Sequence, residues 1–271
     1  MPYEYLIYEK KGHIAYITLN RPRVLNCIHP PMQRELIDAL GDANNDADMW
    51  VIILTGAGDR AFCSGADIKY GAEHPEEARQ LRTTSVFDQR ASMVAGMLPL
   101  EIWKPMIAAV NGYCLGGGLE VALCCDIIIA SEAASFGVPE ITIGGMPGGG
   151  GVFRLPRCIP QKMALKMILT GDRIPAEEAY RLGLVAKVVP QAELMAEATK
   201  LAERLCENPP LSLQAAKQVV MRGLDIPLDY PPVAWHLLQP QPNVRAMESE
   251  DRIEARQAWL EKRKPSGYKG R

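Results

Sequence analysis

Two glutamates beside glycine-rich turns are the residues of this sequence best placed to do chemistry together. Glu120 closes the stretch Gly116-Gly-Gly-Leu-Glu120, which joins an apolar run to a helix-compatible one. Glu140 comes 20 residues later, after a proline, and precedes a second glycine-rich stretch, Gly144–Gly151. Two carboxylates in different surroundings can divide the work of a general acid and a general base.

The first glycine run also predicts stabilisation of negative charge. Glycines at a strand-to-helix junction let the backbone approach a ligand, and the first N–H groups of a helix have no partner within it. Such groups suit the oxyanion that develops on a reacting carbonyl. Glu120 would complement the dipole of this helix even without a catalytic role, so its position alone does not assign one.

The composition indicates a globular protein and argues against several functional classes. Of 271 residues, 48% are apolar and 23% charged, and the net charge is -2. We expect one large core, no nucleic-acid partner and no membrane partner or span, since no apolar run approaches 20 residues. The N-terminal segment MPYEYLIYEKKGH lacks the apolar core of a signal peptide, so we expect a cytoplasmic protein.

Metal and thiol chemistry are not expected. The cysteines form no Cys-x-x-Cys pair and do not combine with histidine at the spacing of a zinc site. The four histidines stand in no recognisable nucleophile motif. We expect free thiols at the seven cysteines, Cys27, Cys63, Cys114, Cys124, Cys125, Cys158 and Cys206.

Alternating β-branched runs and amphipathic stretches predict an α/β fold for the first two thirds of the chain. Pro31 to Leu40, with apolar residues at four-residue spacing behind prolines, predicts a helix. The predicted strands are Ile14–Leu19, Val51–Thr55, Ile107–Val110, Ile127–Ala130 and Val185–Val189.

After about residue 191 the strand pattern gives way to helices separated by prolines. The predicted helices are Ala192–Cys206, Leu211–Arg222 and Glu248–Lys262. The last has Ser249 as a candidate N-cap, followed by two acids that complement the helix dipole. A helical C-terminal subdomain is therefore expected.

One motif points in a different direction. Gly56-Ala-Gly58-Asp-Arg-Ala61 follows a predicted strand and satisfies the spacing of the dinucleotide fingerprint. A nucleotide-binding turn must open a long helix, whereas Ala61-Phe-Cys-Ser-Gly-Ala-Asp-Ile is short and turn-rich. We therefore do not expect a nicotinamide or flavin site.

Four stretches, taken in order and spacing, resemble the crotonase (enoyl-CoA hydratase/isomerase) family over nearly the whole chain. They are Ala61–Ile68, Ile107–Glu120, Phe136–Pro147 and Leu169–Arg173. The resemblance implies a crotonase-type spiral of repeated ββα units, with C-terminal helices that build trimers, often paired into hexamers. It implies a core with the CoA and active site at residues 1–195 and a trimerisation subdomain at 196–271.

The resemblance also implies an active site. The backbone N–H groups of Ala66 and Gly117 match the pair that holds the thioester carbonyl. Glu120 matches the glutamate that activates water, and Glu140 the one that delivers or removes the proton at Cα. Gly148 matches a glycine whose backbone helps to hold the water, although a simple turn role is equally consistent with the sequence.

Coenzyme A would bind as part of the substrate, and no separate cofactor is expected. Arg23 would supply the local positive charge near the nucleotide phosphates. Trp259 and Lys262 match positions that a neighbouring subunit contributes around the adenosine phosphate, unless they form a plain solvated helix face. The implied CoA-binding residues within one chain are Arg23, Val24, Ala66, Asp67 and Ile68.

Two departures from the family pattern leave the acyl group open. Val152 and Phe153 stand where common short-chain hydratases carry a Thr-Gln pair, which predicts a more apolar wall together with Met146. The ending Tyr268–Arg271 is similar to that of carnitinyl-CoA dehydratase-like branches. Acyl length, branching and ring character depend on Lys69 to Pro99, whose sequence is irregular.

Three functions are weighed. Hydration of a trans-2-enoyl-CoA, or of a related dienoyl or cyclic enoyl-CoA, is favoured because both glutamates are present, whereas isomerases of the family generally keep only the second. Double-bond isomerisation or another enolate reaction on an acyl-CoA is the alternative enzyme. A noncatalytic CoA-binding or RNA-associated protein on the same scaffold is disfavoured by the near-neutral charge and by the intact glutamates.

Overall fold

The computed structural model describes residues 3–76, 102–224 and 240–271, and in these ranges ten strands form two sheets. The larger sheet has the order β1-β2-β3-β5-β7-β10 and is parallel except between β1 and β2. The smaller has the order β4-β6-β8-β9 and is parallel except between β8 and β9. The strands are β1 (Leu6–Lys11), β2 (Ile14–Leu19), β3 (Val51–Gly56), β4 (Ala61–Cys63), β5 (Met106–Val110), β6 (Tyr113–Leu115), β7 (Ile127–Ser131), β8 (Ser135–Gly137), β9 (Ile174–Pro175) and β10 (Lys187–Val189).

Helices connect and cover the sheets. In the described ranges the α-helices are α1 (Pro30–Asn45), α2 (Ile68–Glu73), α3 (Gly117–Ala122), α4 (Gly151–Cys158), α5 (Gln161–Thr170), α6 (Ala176–Arg181), α7 (Leu194–Cys206), α8 (Pro210–Gly223), α9 (Pro240–Met247) and α10 (Glu250–Leu260). Within the same ranges, three 3-10 helices lie at Pro22–Val24, Pro139–Ile143 and Gln191–Glu193. Among these helices none has the length and apolarity to cross a membrane.

From β3 to β8 the chain winds as a spiral in which successive strands alternate between the two sheets. β3 lies in the larger sheet and β4 in the smaller, and the pairs β5–β6 and β7–β8 repeat this step. Helix α3 follows the second pair and α4 the third. The predicted α/β spiral of ββα units is confirmed.

The central strands β3, β5 and β7 of the larger sheet are buried on both faces, which explains their uninterrupted apolar sequences. Along β3 alternate side chains enter two different clusters, since successive residues of a strand point to opposite faces. One face packs on α1 and the other on α7, and each fully buried Ile or Leu contributes roughly 1.5–3 kcal/mol. Ile52 and Leu54 pack in the cluster that contains Met32, Leu36 and Leu40, whereas Val51 and Ile53 pack with Leu194, Ala198 and Ala202.

The predicted strands and helices are largely confirmed, and their ends shift by a few residues. β2 has its predicted bounds, whereas the strand predicted at Val185–Val189 covers only Lys187–Val189. The helix predicted at Pro31–Leu40 runs from Pro30 to Asn45. Ser249 caps α10 as predicted, since its hydroxyl accepts the Arg252 N–H at 3.1 Å.

The division at residues 195 and 196 falls within α7, whose buried face packs on the larger sheet. Residues on both sides of this position therefore share a core. The two-part organisation and its trimerisation role stay predictions. Most of the segment Lys69 to Pro99 predicted to shape the acyl pocket lies outside the described residues.

The turn with dinucleotide-like spacing leads into strand β4, and no helix begins there. A Cβ on Gly56 would clash with the carbonyl groups of Ala61 and Phe62. The glycine therefore serves the close approach of two successive strands, as glycines in sheets often do.

Strand pairing in the smaller sheet brings three loop segments side by side. Cys63 pairs with Cys114, and Leu115 pairs with Gly137. The Gly116 N–H extends this ladder by donating to the Gly137 carbonyl at 2.9 Å. The residues that follow β4, β6 and β8 therefore emerge together, and they include the predicted catalytic positions.

Candidate active site

Glu120 lies in the first turn of α3 with its side chain turned inward. It is 4% exposed, and its Oε1 accepts the N–H groups of Gly149 at 2.7 Å and Gly151 at 2.8 Å. Both donors belong to the second glycine-rich stretch, so the two glycine runs meet at this carboxylate. One oxygen of Glu120 is thereby fixed by the backbone.

Close contacts at this junction require residues without a side chain. A Cβ on Gly118 would clash with the Cys63 carbonyl, so α3 could not pack against β4 with any other residue there. A Cβ on Gly151 would lie 3.1 Å from both Cγ and Oε1 of Glu120. The glycine runs thus admit the carboxylate between two backbone segments.

The protonation of Glu120 reflects opposing effects. Burial raises the pKa of its carboxyl, while the N–H groups of Gly151 and Gly149 and the charge of Arg154 oppose the rise. The net pKa lies above the ordinary value for glutamate. Donors to the ionised form favour a carboxylate that can accept a proton.

Glu140 follows β8, in the 3-10 helix Pro139–Ile143, and reaches the N-terminal end of α3. A Cβ on Gly116 would lie 3.1 Å from its Oε1. Its Oε2 is buried and has no hydrogen-bond partner among the described residues. Burial raises the pKa of Glu140, its own N–H opposes the rise, and the charge of Glu120 adds to it.

The two carboxyl groups therefore differ in a way that suits acid and base roles. Glu120 has one oxygen held by two N–H groups, which limit the rise in pKa that burial causes. Glu140 has a buried oxygen without a donor and a carboxylate neighbour, which favours its protonated form. Paired groups whose environments separate their proton affinities are typical of acid and base catalysts.

The N–H groups of Ala66 and Gly117 have no acceptor among the described residues. Gly117 begins α3, where backbone N–H groups lack intrahelical partners. The loop carrying Ala66 lies alongside, since a Cβ on Gly65 would be 3.2 Å from the Gly117 nitrogen. The two unpaired donors thus belong to adjacent segments, beside the site of the two glutamates.

Asp67, predicted to line the CoA path, makes a contact that sequence reasoning missed. Its Oδ2 lies 2.9 Å from Arg21 Nη2, and its Oδ1 accepts the Tyr70 N–H at 2.9 Å. Arg21 stands two residues before Arg23, the arginine that the sequence favoured for binding. Nothing in the sequence distinguishes the two, because their difference in burial arises from the turn between them.

Comparison with known proteins identifies the family. A family model described as Enoyl-CoA hydratase/isomerase matches residues 9–270. This chain belongs to the enoyl-CoA hydratase/isomerase family. The match covers all four sequence stretches on which the resemblance rests, together with the strands and loops that hold both glutamates.

Relatives within the family match over nearly their full length. An (E)-benzylidenesuccinyl-CoA hydratase of Thauera aromatica is 41% identical over 263 residues, 95% of this chain and 96% of its own. A short-chain-enoyl-CoA hydratase of Clostridium acetobutylicum is 38% identical over 268 residues, 98% of each chain. The crystal structure of an enoyl-CoA hydratase from Mycobacterium tuberculosis H37Rv matches with a TM-score of 0.87, at 34% identity and 100% coverage of both chains.

The other predicted site positions of this family member lie at the surface. Gly148 is exposed, and its neighbours Gly149 and Gly151, not Gly148, donate to Glu120. Arg23 and Val24 are exposed in their 3-10 helix, and Ile68 is exposed at the start of α2. They are therefore open to a ligand.

Trp259 and Lys262 are exposed at the C-terminal end of α10, and Trp259 is 78% accessible. Trp259 borders a cavity of about 290 Å³ on the C-terminal helices, together with Pro209, Ser212, Arg252, Ala255, Arg256 and Leu260. Within one chain no described contact joins Trp259 or Lys262 to the glutamates. Their predicted role requires a second subunit.

The cysteines are free thiols, and most are buried. Burial raises the pKa of Cys63 to about 12 and that of Cys114 well above its ordinary value. These thiols are protonated near neutral pH and pack as small apolar groups. In the described part of the chain, no group of His, Cys, Asp and Glu side chains could hold a metal ion.

Proposed function

We propose that this chain hydrates the 2,3 double bond of an enoyl-CoA thioester and catalyses the reverse dehydration. The observation that carries the proposal is the pair of carboxyl groups at the start of α3. Glu120 has one oxygen fixed by two backbone N–H groups, and Glu140 presents a buried oxygen without a partner among the described residues. One carboxyl group can therefore activate a water while the other exchanges a proton with a carbon atom of the substrate in the same site.

The thioester carbonyl would bind to the N–H groups of Ala66 and Gly117. Addition of water to C3 moves negative charge from the double bond onto the carbonyl oxygen. Preorganised donors stabilise that charge without reorganising, and loss of one such donor typically costs roughly 100- to 1000-fold in rate. Their lack of acceptors in the described part of the chain supports the role.

Proton transfer follows from the two glutamate environments. Glu120, as the base, would take a proton from the attacking water while the water oxygen bonds to C3. Glu140, as the acid, would give its proton to C2 as the enolate collapses. Exchange with solvent returns both groups to their starting states, and the reverse sequence removes water.

The CoA moiety would run past Arg23, Val24, Ala66, Asp67 and Ile68. Exposed Arg23 would lie near the phosphates, and backbone groups beside Ala66 would line the pantetheine path. Trp259 and Lys262 of a neighbouring subunit would complete the adenosine site, which implies a homotrimer or homohexamer. No separate cofactor enters this scheme, because CoA arrives as part of the substrate.

The acyl group is expected to meet an apolar surface near Glu140. Ile143, Met146 and Phe153 are exposed on the segments that carry or hold the two glutamates. The Thauera relative is named for a substrate with an aryl-bearing acyl group. Substrates to be tested therefore include straight, branched and aryl enoyl-CoAs.

Turnover of such a panel in water labelled with oxygen-18 tests the proposal. We expect label in the 3-hydroxyacyl product and a loss of at least about 100-fold in kcat for Glu120→Gln and for Glu140→Gln. The amide introduced by Glu120→Gln keeps an oxygen for the Gly149 and Gly151 donors, so the loop should hold its shape. Glu132→Gln, an exposed position between the two, is the matched control.

Turnover without incorporation of label, and with activity retained in Glu120→Gln, would replace hydration by double-bond isomerisation. That outcome needs only one proton shuttle at Glu140. Absence of turnover together with tight CoA binding would point to a noncatalytic acyl-CoA-binding protein. Each result thus assigns the chain to a different activity on the same scaffold.

A further inference from the structure

The loop that carries the Ala66 donor is held by a second loop, residues 21–28. The Ser64 N–H donates to Leu25 O at 3.0 Å, and the Asp67 N–H donates to Ile28 O at 2.9 Å. The Ile28 N–H donates in turn to Gly65 O at 2.8 Å. These bonds use the backbone on both sides of Ala66, and its own N–H is left for a ligand.

An ion pair between side chains also joins the two loops. Arg21 Nη2 lies 2.9 Å from Asp67 Oδ2, and the two side chains are only 17% and 10% exposed. The other guanidinium nitrogen, Nη1, donates to Cys27 O at 2.7 Å. The Asp67 Oδ1 is occupied by the Tyr70 N–H, so both partners are anchored at two points.

The surroundings of Asp67 favour its charged form. Burial raises the pKa of Asp67, but the Tyr70 N–H, Arg21 and the Cys27 thiol outweigh it, leaving the pKa below its ordinary value. Other charges face this region from α1, namely Arg34 and Glu35, which act on neighbouring His29. A buried pair with satisfied hydrogen bonds specifies one geometry, and removal of one partner leaves an uncompensated charge.

We infer that Arg21 and Asp67 are positioning residues for the oxyanion donor at Ala66. The inference rests on the proposed function, in which that N–H binds the thioester carbonyl. The carboxylate belongs to the residue directly after the donor, so its tether to Arg21 holds Ala66 from the C-terminal side. The Ile28 N–H bond to Gly65 O holds the peptide that carries the Ala66 N–H from the other side. Neither side chain needs to touch the substrate.

Catalysis depends steeply on such placement. A displacement of about 1 Å at a reacting group can cost on the order of 100-fold in rate. A donor that misses the oxyanion weakens the transition state more than the ground state, so kcat falls more than KM rises. This split separates positioning from a role in binding CoA, which would raise KM chiefly.

The test compares Asp67→Asn, Arg21→Lys, Arg21→Met and the double variant Arg21→Met/Asp67→Asn. Asp67→Asn keeps an acceptor for Tyr70 N–H, and Arg21→Lys keeps the charge without the two-nitrogen fork. The matched control is Arg181→Met, which breaks an exposed ion pair with Glu178 on α6. Readouts are kcat and KM on crotonyl-CoA, Tm, and the absorption of bound 4-dimethylaminocinnamoyl-CoA.

The bound chromophore reports on the donors without turnover, because hydrogen bonds to its carbonyl polarise it and move its absorption to longer wavelength. We expect Asp67→Asn and Arg21→Met to lower kcat roughly 10- to 100-fold with KM changed less than about threefold. The red shift should shrink in both and be partly restored in Arg21→Lys. The double variant should lose no more than either single one, since the pair acts as a unit.

Two outcomes overturn the inference. The first is a fall in Tm with kcat and the red shift kept within about twofold of the native protein, which makes the pair purely structural. The second is a rise in KM alone, which makes it a CoA-binding element. If the native protein hydrates no enoyl-CoA, the proposed function fails, and the red shift in the same variants still decides whether the pair places a carbonyl-binding donor.

Discussion

Glu140 illustrates how a residue of the proposed active site can carry a cost in stability. Its Oε2 is buried without a donor among the described residues, and Glu120 places a second negative charge within range. Both effects disfavour its ionised form in the folded protein. A group held in this state is suited to give up a proton, and strained electrostatics of this kind are typical of active sites.

The raised pKa of Glu140 gives a stability prediction with a definite sign. A carboxyl whose pKa is higher in the folded state destabilises the fold as pH rises from about 4.5 through that pKa, and the loss persists at neutral pH. Glu140→Gln removes this loss, so we expect its Tm at pH 7 to exceed that of the native protein by about 2 °C. At pH 4 the two should coincide.

Differential scanning calorimetry at both pH values measures this effect. Glu132→Gln, which alters an exposed carboxyl, controls for the loss of one negative charge from the molecule. An equal or lower Tm for Glu140→Gln at pH 7 would mean that the Glu140 carboxylate is better solvated than its buried oxygen indicates.

At the same scale, arginines show where sequence reasoning ends. Glu120, Glu140 and the glycine runs could be recognised from residue types and spacing, because few functions other than catalysis place carboxylates beside glycine-rich turns. Arg21 and Arg23 are equivalent in the sequence, yet one is paired with Asp67 and the other is exposed. Their surroundings differ because Arg23 lies in the 3-10 helix Pro22–Val24 and Arg21 precedes it.

At the scale of elements, long periodic segments were predictable and short ones were not. α1 and the buried strands of the larger sheet have strong patterns over five or more residues. β4, β6, β8 and β9 have two or three residues each, too few for any period, and β1 is an edge strand with a mostly exposed pattern. These short strands set the loops of the site, so the site geometry required the structure.

Helix α1 ends on a buried lysine from another part of the chain. Lys104 is 6% exposed, and its Nζ donates to the carbonyl groups of Ala43 and Asp46. Carbonyls in the last turn of a helix lack intrahelical donors, so Lys104 serves as a C-terminal cap. Burial lowers the pKa of Lys104 to about 8, although Asp46 opposes this.

Replacement by Met should destabilise the protein by about 1–3 kcal/mol at pH 7, because two buried carbonyls lose their donor. The lowered pKa adds a pH signature. Between about pH 8 and 10.5 the unfolded chain binds the extra proton, so the native protein gains stability with rising pH from this residue. The gap between native and Lys104→Met proteins should therefore widen in that window.

Urea unfolding of both proteins across this range measures the gap, with Lys162→Met, an exposed lysine, as the control for lost charge. A gap that is constant with pH would show that the carbonyl bonds hold Lys104 fully charged.

At the scale of the whole molecule, the chain end is tied back to the core. Asp251, 2% exposed in the first turn of α10, accepts the N–H groups of Lys269 and Gly270, each at 2.7 Å. Tyr268 packs against the cluster between the larger sheet and α7. The tail thereby fixes α10 against the sheet, and α10 carries Trp259, which the proposed assembly delivers to a neighbour.

Loss of this attachment should affect stability and substrate binding together. In Asp251→Ala two N–H groups lose a charged acceptor, and each lost hydrogen bond costs roughly 1.5–3 kcal/mol of stability. We therefore expect Tm to fall by roughly 5 °C or more. If α10 completes the adenosine site of another subunit, KM for enoyl-CoA should rise several-fold while kcat at saturation stays near the native value. Glu248→Gln, exposed just before the helix, is the control.

Sedimentation velocity on the same samples separates two causes of a higher KM. A higher KM with an intact trimer or hexamer indicates displaced Trp259 and Lys262, whereas dissociation indicates that the tail supports assembly. An unchanged Tm and KM would show that α10 keeps its place without the tail.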